Sequence, residues 1–277
     1  MPERPRVAYN IEVIHDCIVR DTAIYRTFKS KKKKRALYSK KKNLLDAHPE
    51  IKKMIDPAFV SSLNPERGKN VRKVNWMPPQ LIISDQRIRN MCRNLFTYPK
   101  MYVEKTGLHF GPCPGLETLS ACPMFSPEPK ETRKKLDEAD IFIALQSVYF
   151  IEGPEICGWQ DFLIRKLKKE VERVAGKGSV TAAFGAGPCQ VCHPNPCLGG
   201  GDCRVPEERL FALESAGIPV GQFCKDMALL TGDEGWKIKW KKYTGTPHET
   251  PKRWKTTGGI AVRLSERKNL KKRKEQP

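Results

Sequence analysis

The chain has 277 residues, with 51 Lys and Arg against 31 Asp and Glu, a formal net charge of +20, and 39% hydrophobic residues. That length suits one large domain or two small ones, while no apolar run approaches the ~20 residues that a membrane-spanning helix needs. The opening Met1-Pro2-Glu3-Arg4-Pro5-Arg6-Val7 lacks the apolar core of a secretory signal, so the expected compartment is the cytoplasm, where clustered cysteines are more often ligands than bridges.

In chain order, Ile11 to Arg20 places its apolar residues at mixed spacing and fits neither a helix nor a strand cleanly. Lys29 to Lys42, which holds Lys31 to Arg35 and Lys40 to Lys42, reads as a basic arm or the solvated face of a helix anchored by Leu37, Leu44 and Leu45. Asp46 to Ile55 follows as a helix stopped at Asp56-Pro57. Asn64 to Gly68 and Trp76 to Pro79 mark a loop-rich connection. These features divide the chain into a basic, mostly helical extension (1–79), a cysteine-rich domain (80–265) and a basic tail (266–277).

Within the middle region, Leu81 to Ser84 is a short strand candidate. Ser126 to Ala139 has the form of a capped helix, with Ser126 as N-cap and Pro127 in the first turn. Ile141 to Gln146 predicts a buried strand. Gly158 to Ala175 repeats Phe162, Leu163, Leu167, Val171 and Val174 at helical spacing. Ser179 to Phe184 is then a strand that runs into Gly185-Ala186-Gly187-Pro188-Cys189, so a βαβ unit presents a loop at a strand end, where α/β folds commonly place sites. Pro206 to Gly217 predicts a short helix, Gln222 to Leu230 another, and Gly258 to Leu264 a closing strand. The expected fold is α/β: a mixed sheet with flanking helices and two cysteine-rich metal-binding loops, preceded by the basic extension.

The cysteines carry the chemistry. Cys189, Cys192, Cys197 and Cys203 follow a C-x2-C-x4-C-x5-C spacing broken by Pro194, Pro196 and Gly199 to Gly201, residues that let a backbone fold back on itself. Thiolates suit iron–sulfur clusters, zinc and copper(I). This spacing is tighter than the paired knuckles of a zinc ribbon. One compact loop can serve the separate iron corners of a 4Fe–4S cluster; structural zinc is the alternative, and a disulfide framework or inert thiols the bland reading. A second group comprises Cys92, Cys113 and Cys122, the last two each followed by proline, Pro114 and Pro123. Three thiolates would leave one metal position open, although Cys92 read alone is equally a core cysteine.

Several stretches resemble a known family. Ile83 to Cys92 is similar to "V-D-E-R-V-R-x-K-C". Cys113-Pro114 and Cys122 to Pro127, with Thr132 beyond, resemble "G-C-P … C-P-P-Y-S-P-T-P-E-E-T". Phe184 to Cys192, with Cys197 and Cys203-Arg204-Val205-Pro206, resembles "G-A-G-P-C-R-x-C … C … C-R-x-P", and Ser215 to Val220 resembles "A-x-G-I-D-V". Over residues 80–265 the chain thus resembles a cysteine-rich family of prokaryotic predicted metal-binding proteins, a domain of unknown function common in anaerobes. The chain departs from the pattern by an insertion between Cys92 and Cys113, by Met124 in place of a second proline, and by its basic extension. The resemblance implies metal binding and leaves any reaction open.

Three functional classes follow. The first is an iron–sulfur protein that transfers electrons or helps assemble or activate a metalloenzyme, its basic surface docking an acidic protein partner. The second is a zinc-stabilised nucleic-acid-binding module using Lys31 to Arg35, Lys40 to Lys42 and the alternating lysines and aromatics of Trp236 to Tyr243, a pattern that a half-buried strand explains equally. The third is a metalloenzyme at the three-cysteine group, with His109, Glu117 or His193 as ligand or proton carrier, or as structural residues. Neither G-x-x-x-x-G-K-[ST] nor G-x-G-x-x-G occurs, so nucleotide use has no support.

Overall fold

The computed structural model describes residues 30–90, 126–149, 155–186, 189, 191–192, 203–237 and 254–264. Helix α1 (Lys31–Asp46) is capped by Ser30, whose hydroxyl accepts the Lys33 N–H. Three short helices follow: α2 (Pro49–Lys53), α3 (Pro57–Ser62) and α4 (Pro65–Gly68), each with proline at its start. Proline fixes a helical φ and removes an N–H that would have no partner there. Strand β1 (Val71–Met77) then lies between the Asn64 to Gly68 segment and Pro78-Pro79, whose prolines and glycine suggest only a loop-rich connection. Its pairing with the next strand supplies the order that its composition does not.

Leu81 to Ser84 is not a strand. A 3-10 turn at Pro79–Leu81 leads into extended backbone, and α5 (Gln86–Asn90) follows. Helix α6 (Pro129–Asp137) starts two residues later than Ser126 and Pro127 suggest. Glu128 and Glu131 form a reciprocal capping box, and Pro129 takes the first-turn position. Strand β2 (Ile141–Tyr149), helix α7 (Glu155–Ala175) and strand β3 (Val180–Gly185) match the pattern read from residue types, the first two slightly longer and β3 shifted by one residue. The Pro206 to Gly217 segment is no helix: it forms a 3-10 turn at Pro206–Glu208, a two-residue strand β4 (Phe211–Ala212) and a run of turns. Helix α8 (Val220–Thr231) ends at Gly232 in the left-handed region, and β5 (Trp254–Val262) completes the sheet.

The five strands lie in the order β1-β2-β5-β3-β4. Strand β5 is antiparallel to both β2 and β3, whereas β3 and β4 are parallel. The β2-α7-β3 crossover therefore joins two parallel strands that do not touch, because β5 lies between them. Both faces of the sheet are covered. Phe142 and Ala144 point to a core shared with α6 and α8; Ile141, Ile143 and Leu145 point to another shared with α7 and the N-terminal helices. The result is a mixed α/β sheet with flanking helices. Helix α1 belongs to this packing: Tyr38 stacks on Trp76 of edge strand β1 at 4.5 Å, and Leu45 is buried. Lys34 is not solvated with its neighbours; its Nζ lies 2.6 Å from both oxygens of Asp226 on α8. No helix among the described residues is long and apolar enough to cross a membrane.

Candidate metal centre

Strand β3 delivers the chain to Cys189 four residues beyond its last residue, and the strand end is fixed from below. Asp161 on α7, fully buried, accepts the Ala186 N–H at 3.2 Å. It can approach so closely only because residue 185 is glycine: a Cβ there would lie 2.1 Å from Asp161 Oδ1. On the other side β4 pairs with the same strand end, Phe184 with Phe211 and Gly185 with Ala212. The way into the four-cysteine segment and the way out of it are thus held side by side.

Cys189 is half-buried, and its sulfur accepts backbone N–H groups from Leu210 and Val191. Burial pushes the thiol up from its ordinary value. Those two N–H groups and the charge of Arg165 pull it down, while the Asp161 carboxylate adds to the upward push. N–H groups aimed at a cysteine sulfur favour its charged form and, on a metal-bound thiolate, tune the centre. Cys192, in a turn, and Cys203 are also half-buried, and none of the three is disulfide-bonded. Soft thiols on a strand-end loop, one with two N–H donors, are a donor set that suits a soft metal ion or cluster. Among the described residues, no three His, Cys, Asp or Glu side chains gather around one point; Cys197 lies outside them.

Cys92, Cys113, Cys122, His109, Glu117 and His193 also lie outside the described residues, but the flanks of the first cysteine group do not. Upstream of Cys92, Asp85 donates its N–H to Gly217 O at 2.9 Å and Ser84 Oγ donates to Ala216 O at 2.8 Å. Downstream of Cys122, Ser126 Oγ donates to Ser215 O at 2.9 Å. Arg89, 2% exposed, joins the two flanks: its guanidinium donates to Ser126 O at 3.1 Å and pairs with Glu128. The Asp85, Ser84 and Ser126 bonds converge on the turn at 213–217, immediately after β4. Gly217 sits there at φ +81, and a Cβ would meet Asp85 O at 2.8 Å. The described flanks of both cysteine groups therefore meet at one end of the sheet.

Residue types and spacing single out the cysteines but not Asp161, Arg89, Ser84 or Ser126, whose roles depend on partners far along the chain. Ser84, Arg89, Ser126 and Gly217 do fall inside the family-like stretches, the one sequence signal that marks them, whereas Asp161 does not. Trp236, a candidate for base stacking from its sequence context, is 1% exposed, and its carbonyl accepts from Gln146 Nε2 at 3.2 Å. The rest of that lysine and aromatic stretch beyond Lys237 lies outside the described residues. Cys224 is a core thiol, in contact with Thr257 Oγ1 and Gln146 Nε2, each at 3.7 Å.

Residues 108–247 match the family described as predicted metal-binding protein (DUF2284). The match takes in Cys113, Cys122 and all four cysteines from Cys189 to Cys203, with Cys92 upstream of it. No curated protein and no solved structure matches the chain. With half of its length matched, and with free thiols held at the end of a sheet strand inside that half, the chain belongs to this family of predicted metal-binding proteins.

Proposed function

We propose that the protein is an iron–sulfur protein of the cytoplasm that passes electrons or helps assemble or activate a metalloenzyme. On this reading Cys189, Cys192, Cys197 and Cys203 hold a 4Fe–4S cluster. Cys92, Cys113 and Cys122 hold a second cluster or a metal with one exchangeable position. Residues 80–265 are the metal-binding domain, and 266–277 a basic tail. The 1–79 extension contributes β1 at its C-terminal end, and the protein's basic surface docks an acidic protein partner.

The observation that carries the reading is the Cys189 sulfur, which takes N–H groups from both Val191 and Leu210 where β3 and β4 meet. Hydrogen bonds to cluster sulfurs are one of the means by which a protein sets cluster potential, and a short loop with four thiols can serve four iron corners. The meeting of both cysteine groups' flanks at 213–217 supports a shared or neighbouring pair of centres. A bound cluster would supply one-electron chemistry. The chain's own contribution is to position the thiolates, shield them and present the N–H donors.

The test is purification without oxygen, followed by iron, acid-labile sulfide and zinc analysis and an absorption spectrum. The expected result is iron and sulfide in equal amounts with broad visible absorption that is lost in Cys189→Ser. Stoichiometric zinc without sulfide would remove the cluster and leave the zinc alternative. A Cys113→Ser spectrum that loses only one component indicates two sites; one that loses all colour indicates one shared centre.

A further inference from the structure

A groove of about 250 Å³ lies between α6, β3 and the 206–211 segment. Its floor is unusual: Val180, Thr181, Ala182, Ala183 and Phe184 all line it. Successive side chains of a strand point to opposite faces, so a groove that meets five in a row runs along the strand's edge. Strand β4 covers only Phe184 and Gly185. From Val180 to Ala183 the outer edge of β3 has no strand partner among the described residues.

The walls of the groove are cationic. Lys135, Lys168 and Arg209 line it against one carboxylate, Glu207. Lys168 Nζ donates to the Glu207 carbonyl at 2.8 Å, and the Arg209 guanidinium lies over the Phe211 ring. Thr132 also lines the groove. It is 1% exposed, and its hydroxyl has no hydrogen-bond partner among the described residues. Buried hydroxyls normally find a partner. Lysines beside an open edge can serve simply to keep other chains away, but they do not explain a groove of this volume running along that edge.

We infer that this groove takes an extended acidic segment of a partner protein, added to β3 as a further strand. Backbone groups of Val180 to Ala183 would pair with the incoming chain, as in other recognition by strand addition, and Lys135, Lys168 and Arg209 would meet its alternate carboxylates. The net charge of +20 favours such a partner at long range. The inference does not depend on the metal.

The experiment is panning of a displayed library of short random peptides against the full chain, followed by titration of selected peptides. Expected are peptides with Asp or Glu at alternate positions, whose affinity falls by about tenfold or more for Lys135→Glu, an exposed helix position. N-methylation of alternate peptide nitrogens should abolish binding. Four outcomes would overturn the inference. One is selection without acidic bias, and another is indifference to N-methylation. A third is full displacement by millimolar inorganic phosphate at constant ionic strength, which marks a small-anion site. The last is absence of binding peptides with self-association of Lys135→Glu, which marks the lysines as edge guards.

Discussion

A thiol takes its character from its surroundings. Cys224 is fully enclosed, and burial pushes it up to about 12, with Thr257, Lys255 and Gln146 only partly offsetting that rise and Glu214 adding to it. It should remain unmodified by iodoacetamide at pH 8 in the folded protein and react once urea is added, as read by mass spectrometry. Cys224→Ala should leave bound metal unchanged. Gly185 poses a question of space, not of backbone freedom. Gly185→Ala drives a methyl against Asp161 and should cost about 1–3 kcal/mol, measured from the urea midpoint. Combined with Asp161→Ala, the loss should be smaller than the sum of the two single losses, since both act on one contact. The Gly-Ala-Gly-Pro-Cys run is plain in the sequence. Its dependence on a carboxylate 24 residues upstream is not, because a buried Asp in a helix leaves no periodic trace.

The same divide appears among the elements. Helix α7, strands β2 and β3 and the half of β5 from Gly258 to Val262 are legible because their apolar residues repeat at 3.6 or run together, a pattern that solvent imposes locally, whereas Trp254 to Thr257 carries no such run. The start of α6 is ambiguous because Ser126-Pro127 and Glu128-Pro129 both offer a cap followed by proline. Ser126 gives its hydroxyl to Ser215, which leaves Glu128 to begin the helix. Pro206 to Gly217 has helix-forming residues, yet pairing of Phe211 and Ala212 with β3 overrides them. Helix α1 looks from its lysines like a solvated arm, but Lys34 reaches Asp226 inside the protein. Burial pushes the Asp226 carboxyl up, against Lys34 and Gln222, which pull it down. Lys34→Met would leave that carboxylate enclosed without its cation and should cost about 3–5 kcal/mol at pH 7. The penalty should shrink as pH falls, because a protonated Asp226 no longer needs the ammonium; urea midpoints of both proteins from pH 4 to pH 7 check this.

For the molecule as a whole, charge decides the response to acid. Asp46, Glu208 and Asp233 are held below the ordinary carboxylate range, each chiefly by a lysine partner: Lys52, Lys169 and Lys73. A depressed carboxyl contributes stability that is present above its unfolded value and lost as pH falls through its folded value. Asp226, raised by burial, works in the opposite sense across the same range. Among the described residues the three depressed groups outnumber it, and protonation also adds positive charge to a chain already at +20. The urea midpoint should therefore drop below about pH 4, and Lys73→Met, which removes the partner of Asp233, should flatten that drop.

The sheet's spatial order has a consequence for synthesis. The strand at its centre, β5, comes from residues 254–262, after every other strand has been made. While a ribosome is still translating the residues before Trp254, β2 and β3 lack the strand that bridges them, and the scaffold under the cysteines is open. Domains tend to fold as units as they emerge, so here closure waits for the last strand. A chain stopped just short of Trp254 would carry every thiol and still lack the floor that holds them.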